Sequence, residues 1–141
     1  MKTKEEIFKL INENPVFHLA TVENGKPHVR GMLLFKADNE QGIIFHTGTF
    51  KDLYRELQAN PSVEMCFHCQ KTGEQIRISG DLVQDKSLNL IEEIYNHPTR
   101  AFLRNFGESI KERMAVYQMI HGKATVWTME KNLEPNYYTE F

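Results

Sequence analysis

Apolar and polar positions change their period several times along the chain, and each change predicts an element. Ile7, Phe8, Leu10 and Ile11 recur at helical spacing behind Thr3 and Glu6, a capping-box pair, so an amphipathic helix is predicted over about 3–13, ended by Asn14-Pro15. Val16 to Glu23 favours a strand, Asn24-Gly25 is a strong two-residue hairpin signal, and Lys26 to Ala37 reads as the returning strand. A polar turn, Asp38 to Gly42, leads into a third strand, Ile43 to Thr47. Thr49 and Asp52 then offer a second capping pattern before Leu53, Tyr54 and Leu57, so the order is strand, tight loop, helix.

Asn60-Pro61 stops that helix. Val63 to Cys69 is extended, Lys71-Thr72-Gly73 turns, and Gln75 to Val83 alternates polar with apolar residues, which predicts a second hairpin. Ser87 to Tyr95 is helical by period, whereas Asn96 to Glu108, with His97-Pro98, follows no single period. Ala115 to Ile120 and Ala124 to Met129 read as a final strand pair around Gly122, and the tail from Lys131 carries no pattern. Six or more mostly antiparallel strands with a few helices predict an α+β fold dominated by a closed or partly closed β-barrel.

The 141 residues suit one compact domain whose core needs no disulfide or metal. The net charge of -2 and the scattered Lys and Arg predict no nucleic-acid partner. No apolar stretch approaches the roughly 20 residues that span a bilayer, and the charged start does not resemble a signal peptide, so a cytoplasmic protein without membrane contact is expected. Cys66 and Cys69 form a C-x-x-C, but on a strand their sulfurs point to opposite faces and no second pair lies at zinc spacing. No metal site is predicted. The six histidines are dispersed, and the glycine loops of dinucleotide and triphosphate sites and the G-x-S-x-G elbow are absent.

The run from Phe45 to Leu53 delivers the chain from a strand end into a helix start, where unpartnered amides and the helix dipole favour an anion. Thr49 adds a hydroxyl and Lys51 a charge; the competing reading is an ordinary cap beside a solvated lysine. Alternation puts Arg30 on one face with His28, Met32 and Leu34, where a guanidinium calls for a carboxylate or phosphate partner unless it sits in water at the strand edge. Gln75 suits a ring with mixed donor and acceptor edges, although a solvated glutamine is the plainer reading. Trp127, the single tryptophan, either stacks on a ligand or fills the core.

Four pieces occur in order: Arg30-Gly31-Met32-Leu33-Leu34; Phe45-His46-Thr47 with Thr49-Phe50-Lys51; Asn60-Pro61-Ser62-Val63; and Glu74-Gln75-Ile76-Arg77-Ile78-Ser79-Gly80. Together they resemble the pyridoxamine 5'-phosphate oxidase-like FMN-binding split-barrel family, most closely over about 15–85. The resemblance implies a split β-barrel, FMN as cofactor, and a homodimer with FMN at the subunit interface. It implies that Arg30 and Lys51 grip the FMN phosphate, with Thr49 in the place of a small hydroxyl residue. Met32 and Leu33 would lie along the flavin through their backbone, His46 and Thr47 would border it, and Gln75 and Trp127 would touch the ring system. The late segment with which the family's oxidase recognises its vitamin B6 substrate has no match here. The expectation is an FMN-dependent oxidoreductase exchanging electrons with a small molecule, with no catalytic acid or base required. The alternative is a non-enzymatic module that binds or senses flavin or haem.

Overall fold

A computed structural model describes residues 1–141. Its ten strands are β1 (Val16–Glu23), β2 (Lys26–Leu33), β3 (Lys36–Asp38), β4 (Gly42–Gly48), β5 (Ser62–His68), β6 (Gln75–Asp81), β7 (Val83–Asp85), β8 (Met114–Met119), β9 (Lys123–Trp127) and β10 (Tyr138–Glu140). The helices are α1 (Lys4–Glu13), α2 (Asp52–Ala59), α3 (Leu88–Asn96) and the short α4 (Ala101–Arg104), with 3-10 turns between. One sheet runs in the order β10-β9-β6-β5-β1-β2 and the other β3-β4-β8-β7, every pairing antiparallel.

Local signals set much of this. Thr3 and Glu6 exchange both bonds of a capping box at the head of α1. Asn24 and Gly25 both have positive φ, 52° and 74°, the conformation that lets a two-residue turn match the twist of β1 and β2. Three expectations are corrected. The segment Lys26 to Ala37 is not one strand: the chain leaves the first sheet after Leu33 and enters the second as β3. Gln75 to Val83 likewise breaks at Leu82, whose amide turns to the Pro61 carbonyl at 2.9 Å. The last two long strands do not pair with each other: β8 joins β4 and β7, and β9 joins β6. The chain must bend sharply to change sheets, and at Gly80 a side chain would lie 2.7 Å from the His121 carbonyl. The tail, patternless in sequence, supplies β10.

The core fills the space between the sheets. Phe17 stacks on Phe67 at 4.8 Å and meets Phe45 edge-on at 5.8 Å, while Phe45 stacks on Tyr117. Each fully buried phenylalanine contributes about 1.5–3 kcal/mol relative to exposure. The α1 helix closes one side of this core with Ile7, Phe8 and Ile11. A second cluster packs α3 and α4 onto the back of β4 and β8 through Ile44, Ile94, Leu103, Met114 and Val116. The outer face of the larger sheet has no such cover: Val16, Val22, Val29 and Leu33 are 64, 41, 69 and 40 % exposed.

Candidate functional site

Arg30 lies opposite Leu19 in the β1–β2 register and therefore points inward, on the face that alternation shares with Met32; the strand-edge alternative does not hold. Its partner is a carboxylate of the chain itself. Nη2 donates to Glu56 on α2, and Nη1 donates to the Thr21 hydroxyl at 2.9 Å and the Leu19 carbonyl at 3.3 Å. Thr21 also donates to Glu56, which is 2 % exposed. Burial pushes the Glu56 carboxyl up, but the bonds from Thr21 and Arg30 and the Arg30 charge outweigh it and hold it below the usual carboxylate range. Sequence reading allowed a carboxylate at Arg30 without locating one; Glu56 becomes visible as the partner only when α2 packs across β1. Glu23 and the exposed His28 bring ligand atoms within 4.8 Å of those of Glu56, but guanidinium groups hold both carboxylates, Arg55 pairing with Glu23 at 2.9 Å.

The head of α2 differs from expectation in its cap. Thr49 does not cap it: its amide donates to the Arg113 carbonyl at 2.8 Å, and a turn closed by the Lys51 amide on the Gly48 carbonyl at 3.0 Å delays the helix until Asp52. Lys51 occupies the cap position with no side-chain cap bond, so the Asp52 and Leu53 amides have no acceptor. The Lys51 side chain forms no ion pair. Beside it Arg113, which sequence reading missed, stacks its guanidinium 4.4 Å from the Phe50 ring centre and likewise faces no carboxylate. Lys51 and Arg30 therefore address one helix: Lys51 heads it, and Arg30 reaches Glu56 five residues on, about 7.5 Å along the axis.

His46 and Thr47 lie near the end of β4, opposite Val116 and Ala115 of β8. His46 Nε2 accepts from Arg100 Nε at 2.9 Å. Burial and then the Arg100 charge lower His46 to about 4, so the ring is neutral. Arg100 is 2 % exposed and also donates to the Leu34 carbonyl at 2.9 Å and, at 3.4 Å, to that of Leu33. It lies in the segment without a sequence period, and nothing local marks it. Met32 turns inward against the core, while Leu33 faces outward.

Gln75 and Trp127 face each other across β6 and β9 on the outer side of the larger sheet, the side opposite Arg30. With Arg77, Thr125, Asn132 and Asn136 they line a cavity of about 320 Å³. Trp127 is half-buried there and donates from Nε1 to Asn132 at 2.9 Å, so it is not a core residue. The Thr125 hydroxyl is buried with no partner. Cys69 belongs to the core while Cys66 lies on the outer face, both as free thiols.

The whole span 3–134 matches the sequence family described as pyridoxamine 5'-phosphate oxidase. The chain belongs to that family. A pyridoxine/pyridoxamine 5'-phosphate oxidase of Actinobacillus succinogenes is 33 % identical over 114 residues, 80 % of this chain and 52 % of that enzyme. The chain thus spans about half the length of the curated relatives it matches. Among solved structures, a NimC/NimA family protein of Clostridium acetobutylicum superposes with a TM-score of 0.78 at 22 % identity, covering 97 % of this chain and 92 % of that one. A pyridoxamine 5'-phosphate oxidase-related, FMN-binding protein of Nostoc punctiforme gives 0.65 at 15 %, covering 98 and 96 %. A haem-binding protein of Mycobacterium smegmatis gives 0.68 at 11 %, covering 92 and 54 %. At these identities the structures establish the shared split-barrel fold.

Proposed function

We propose that the chain is a flavoprotein that binds FMN and transfers electrons between a small-molecule donor and acceptor. The observation that carries this reading is the head of α2, where Lys51, free of any ion pair, occupies the cap position just before two amides without acceptors, three residues after β4 ends. That donor set fits a phosphate, because backbone N–H groups, the helix dipole and a lysine charge act on the same anion. Arg113 adds a second unpaired cation, whereas Arg30 keeps only the Nε–H and one Nη2–H free once Glu56, Thr21 and Leu19 are satisfied.

The reading also calls for a second copy of the chain. Arg30 and the pair Gln75–Trp127 lie on opposite faces of one sheet, so one flavin cannot touch both within a single protomer. A homodimer packed through the exposed apolar outer face of β1 and β2 would cover Val16, Val29 and Leu33 and bring the partner's Gln75 and Trp127 to the ligand. When bound, FMN supplies the hydride or electron transfer, and the chain's residues bind and orient it.

Purified protein titrated with FMN should take it up and show the absorbance of bound oxidised flavin, bleached by dithionite. Protein that stays colourless with excess FMN refutes the assignment. Reduction of the bound flavin by NADH or NADPH separates a turning-over enzyme from a binding module, and hemin in place of FMN tests the haem alternative.

A further inference from the structure

Arg100 is the most deeply buried cation of the chain, and burial alone lowers its pKa because no carboxylate faces it. Its acceptors are neutral: His46 Nε2 at 2.9 Å, the Leu34 carbonyl at 2.9 Å, the Leu33 carbonyl at 3.4 Å and the Thr99 hydroxyl at 3.0 Å. The Phe35 ring centre lies 5.5 Å from the guanidinium carbon. Burying a guanidinium without a counter-charge is costly, and this one is held by groups that belong to the candidate site.

Arginine can only donate. An imidazole nitrogen that accepts from it must offer a lone pair, so the single proton of the neutral His46 ring has to sit on Nδ1. That Nδ1 has no acceptor within the chain. The same guanidinium ties the ring to the backbone of Leu33 and Leu34, where the chain leaves β2.

We propose that Arg100 is a positioning residue: it fixes His46 as the Nδ1–H tautomer and registers that ring against the Leu33–Leu34 backbone, so that His46 donates a hydrogen bond to an acceptor atom of the bound flavin. The inference rests on the flavin reading above. It goes beyond it by assigning a role to a segment with no sequence pattern and by giving His46 a direction, donor rather than acceptor.

The charge that faces His46 is Arg100 alone. Across the sheet β8 presents Val116, and the end of β2 presents Leu33 and Leu34. Another titratable group in this network is His97, edge-on to Phe35 at 5.2 Å and bonded through Nδ1 to Thr99.

The test has two arms. Long-range proton–nitrogen correlation spectra of the wild type at pH 7 should show His46 protonated on Nδ1 and bare at Nε2. FMN affinity at pH 7.5 and the His46 tautomer are then measured for the wild type, Arg100→Lys and Arg100→Met. Lysine still donates to Nε2 and should keep the tautomer and most of the affinity. In Arg100→Met the ring is free to carry its proton on Nε2, and binding should weaken about three- to tenfold at pH 7.5. The loss should track the tautomer: Arg100→Met should show a ring with its proton wholly or partly on Nε2, and Arg100→Lys a ring still protonated on Nδ1. A purely structural role predicts weakened binding in Arg100→Met with the ring still protonated on Nδ1, and that result overturns the proposal. So does a wild-type ring protonated on Nε2, which can be read even if Arg100→Met does not fold. If the wild type binds no FMN while showing the Nδ1–H signature, the flavin reading fails and the proposed donation falls with it; FMN binding with the wrong tautomer defeats this inference alone.

Discussion

Glu56 on α2 is the one buried carboxylate of the chain, and Arg30 on β2 is the cation that meets it. The pair joins a helix to a sheet edge, with Thr21 as a third member. Removing one partner strands the other, so Glu56→Ala should cost about 3 kcal/mol and Thr21→Val about 1 kcal/mol in urea denaturation. A Glu56→Ala protein as stable as wild type would show that the pair adds nothing.

Because Glu56 is held below the unfolded carboxylate value, its contribution is fully present above about pH 4.3 and disappears as pH falls through its folded pKa. Acid titration followed by circular dichroism should show an unfolding step in that range. Glu56→Gln should flatten the step.

His46 acts in a separate window. In the fold it is held at about 4, whereas the unfolded imidazole titrates near 6.5, so on acidification the unfolded chain takes up the proton first. Stability therefore falls between about pH 6.5 and 4, by roughly 2 kcal/mol once the ring's partial exposure is allowed for. His46→Gln should lose this slope. Equal slopes in both proteins would assign the dependence to other groups.

Lys51→Ala should weaken FMN by about 1.5–3 kcal/mol and leave riboflavin, which lacks the phosphate, unchanged in isothermal titration. Arg113→Ala should act in the same direction. Arg30→Ala will lower stability as well, through Glu56, and has to be compared at matched folded fraction. Equal losses for both ligands in Lys51→Ala would remove the phosphate from the head of α2.

The dimer expectation has its own probe at Val29, 69 % exposed on the uncovered face. Val29→Asp should shift sedimentation toward the monomer and reduce FMN uptake while leaving the monomer's melting behaviour within about 0.5 kcal/mol of wild type. A variant that stays dimeric and yellow would point to another interface.

What the sequence determined by itself is the set of elements whose causes are local. A capping box at Thr3 and Glu6, two positive-φ residues at Asn24-Gly25, and alternation through β5 and β6 act within a few residues, and each produced the element it predicted. The face Arg30 shares with Met32 and the split of Cys66 and Cys69 between faces follow from the same short-range geometry. Tertiary structure alone decided the rest. The breaks at Leu33 and Leu82, the separation of β8 from β9, the choice of Glu56 for Arg30 and of His46 for Arg100 depend on which sheet buries more apolar surface and which distant polar group reaches a buried charge. Those partners lie 26 and 54 residues apart, and no periodicity of the chain encodes a contact at that range.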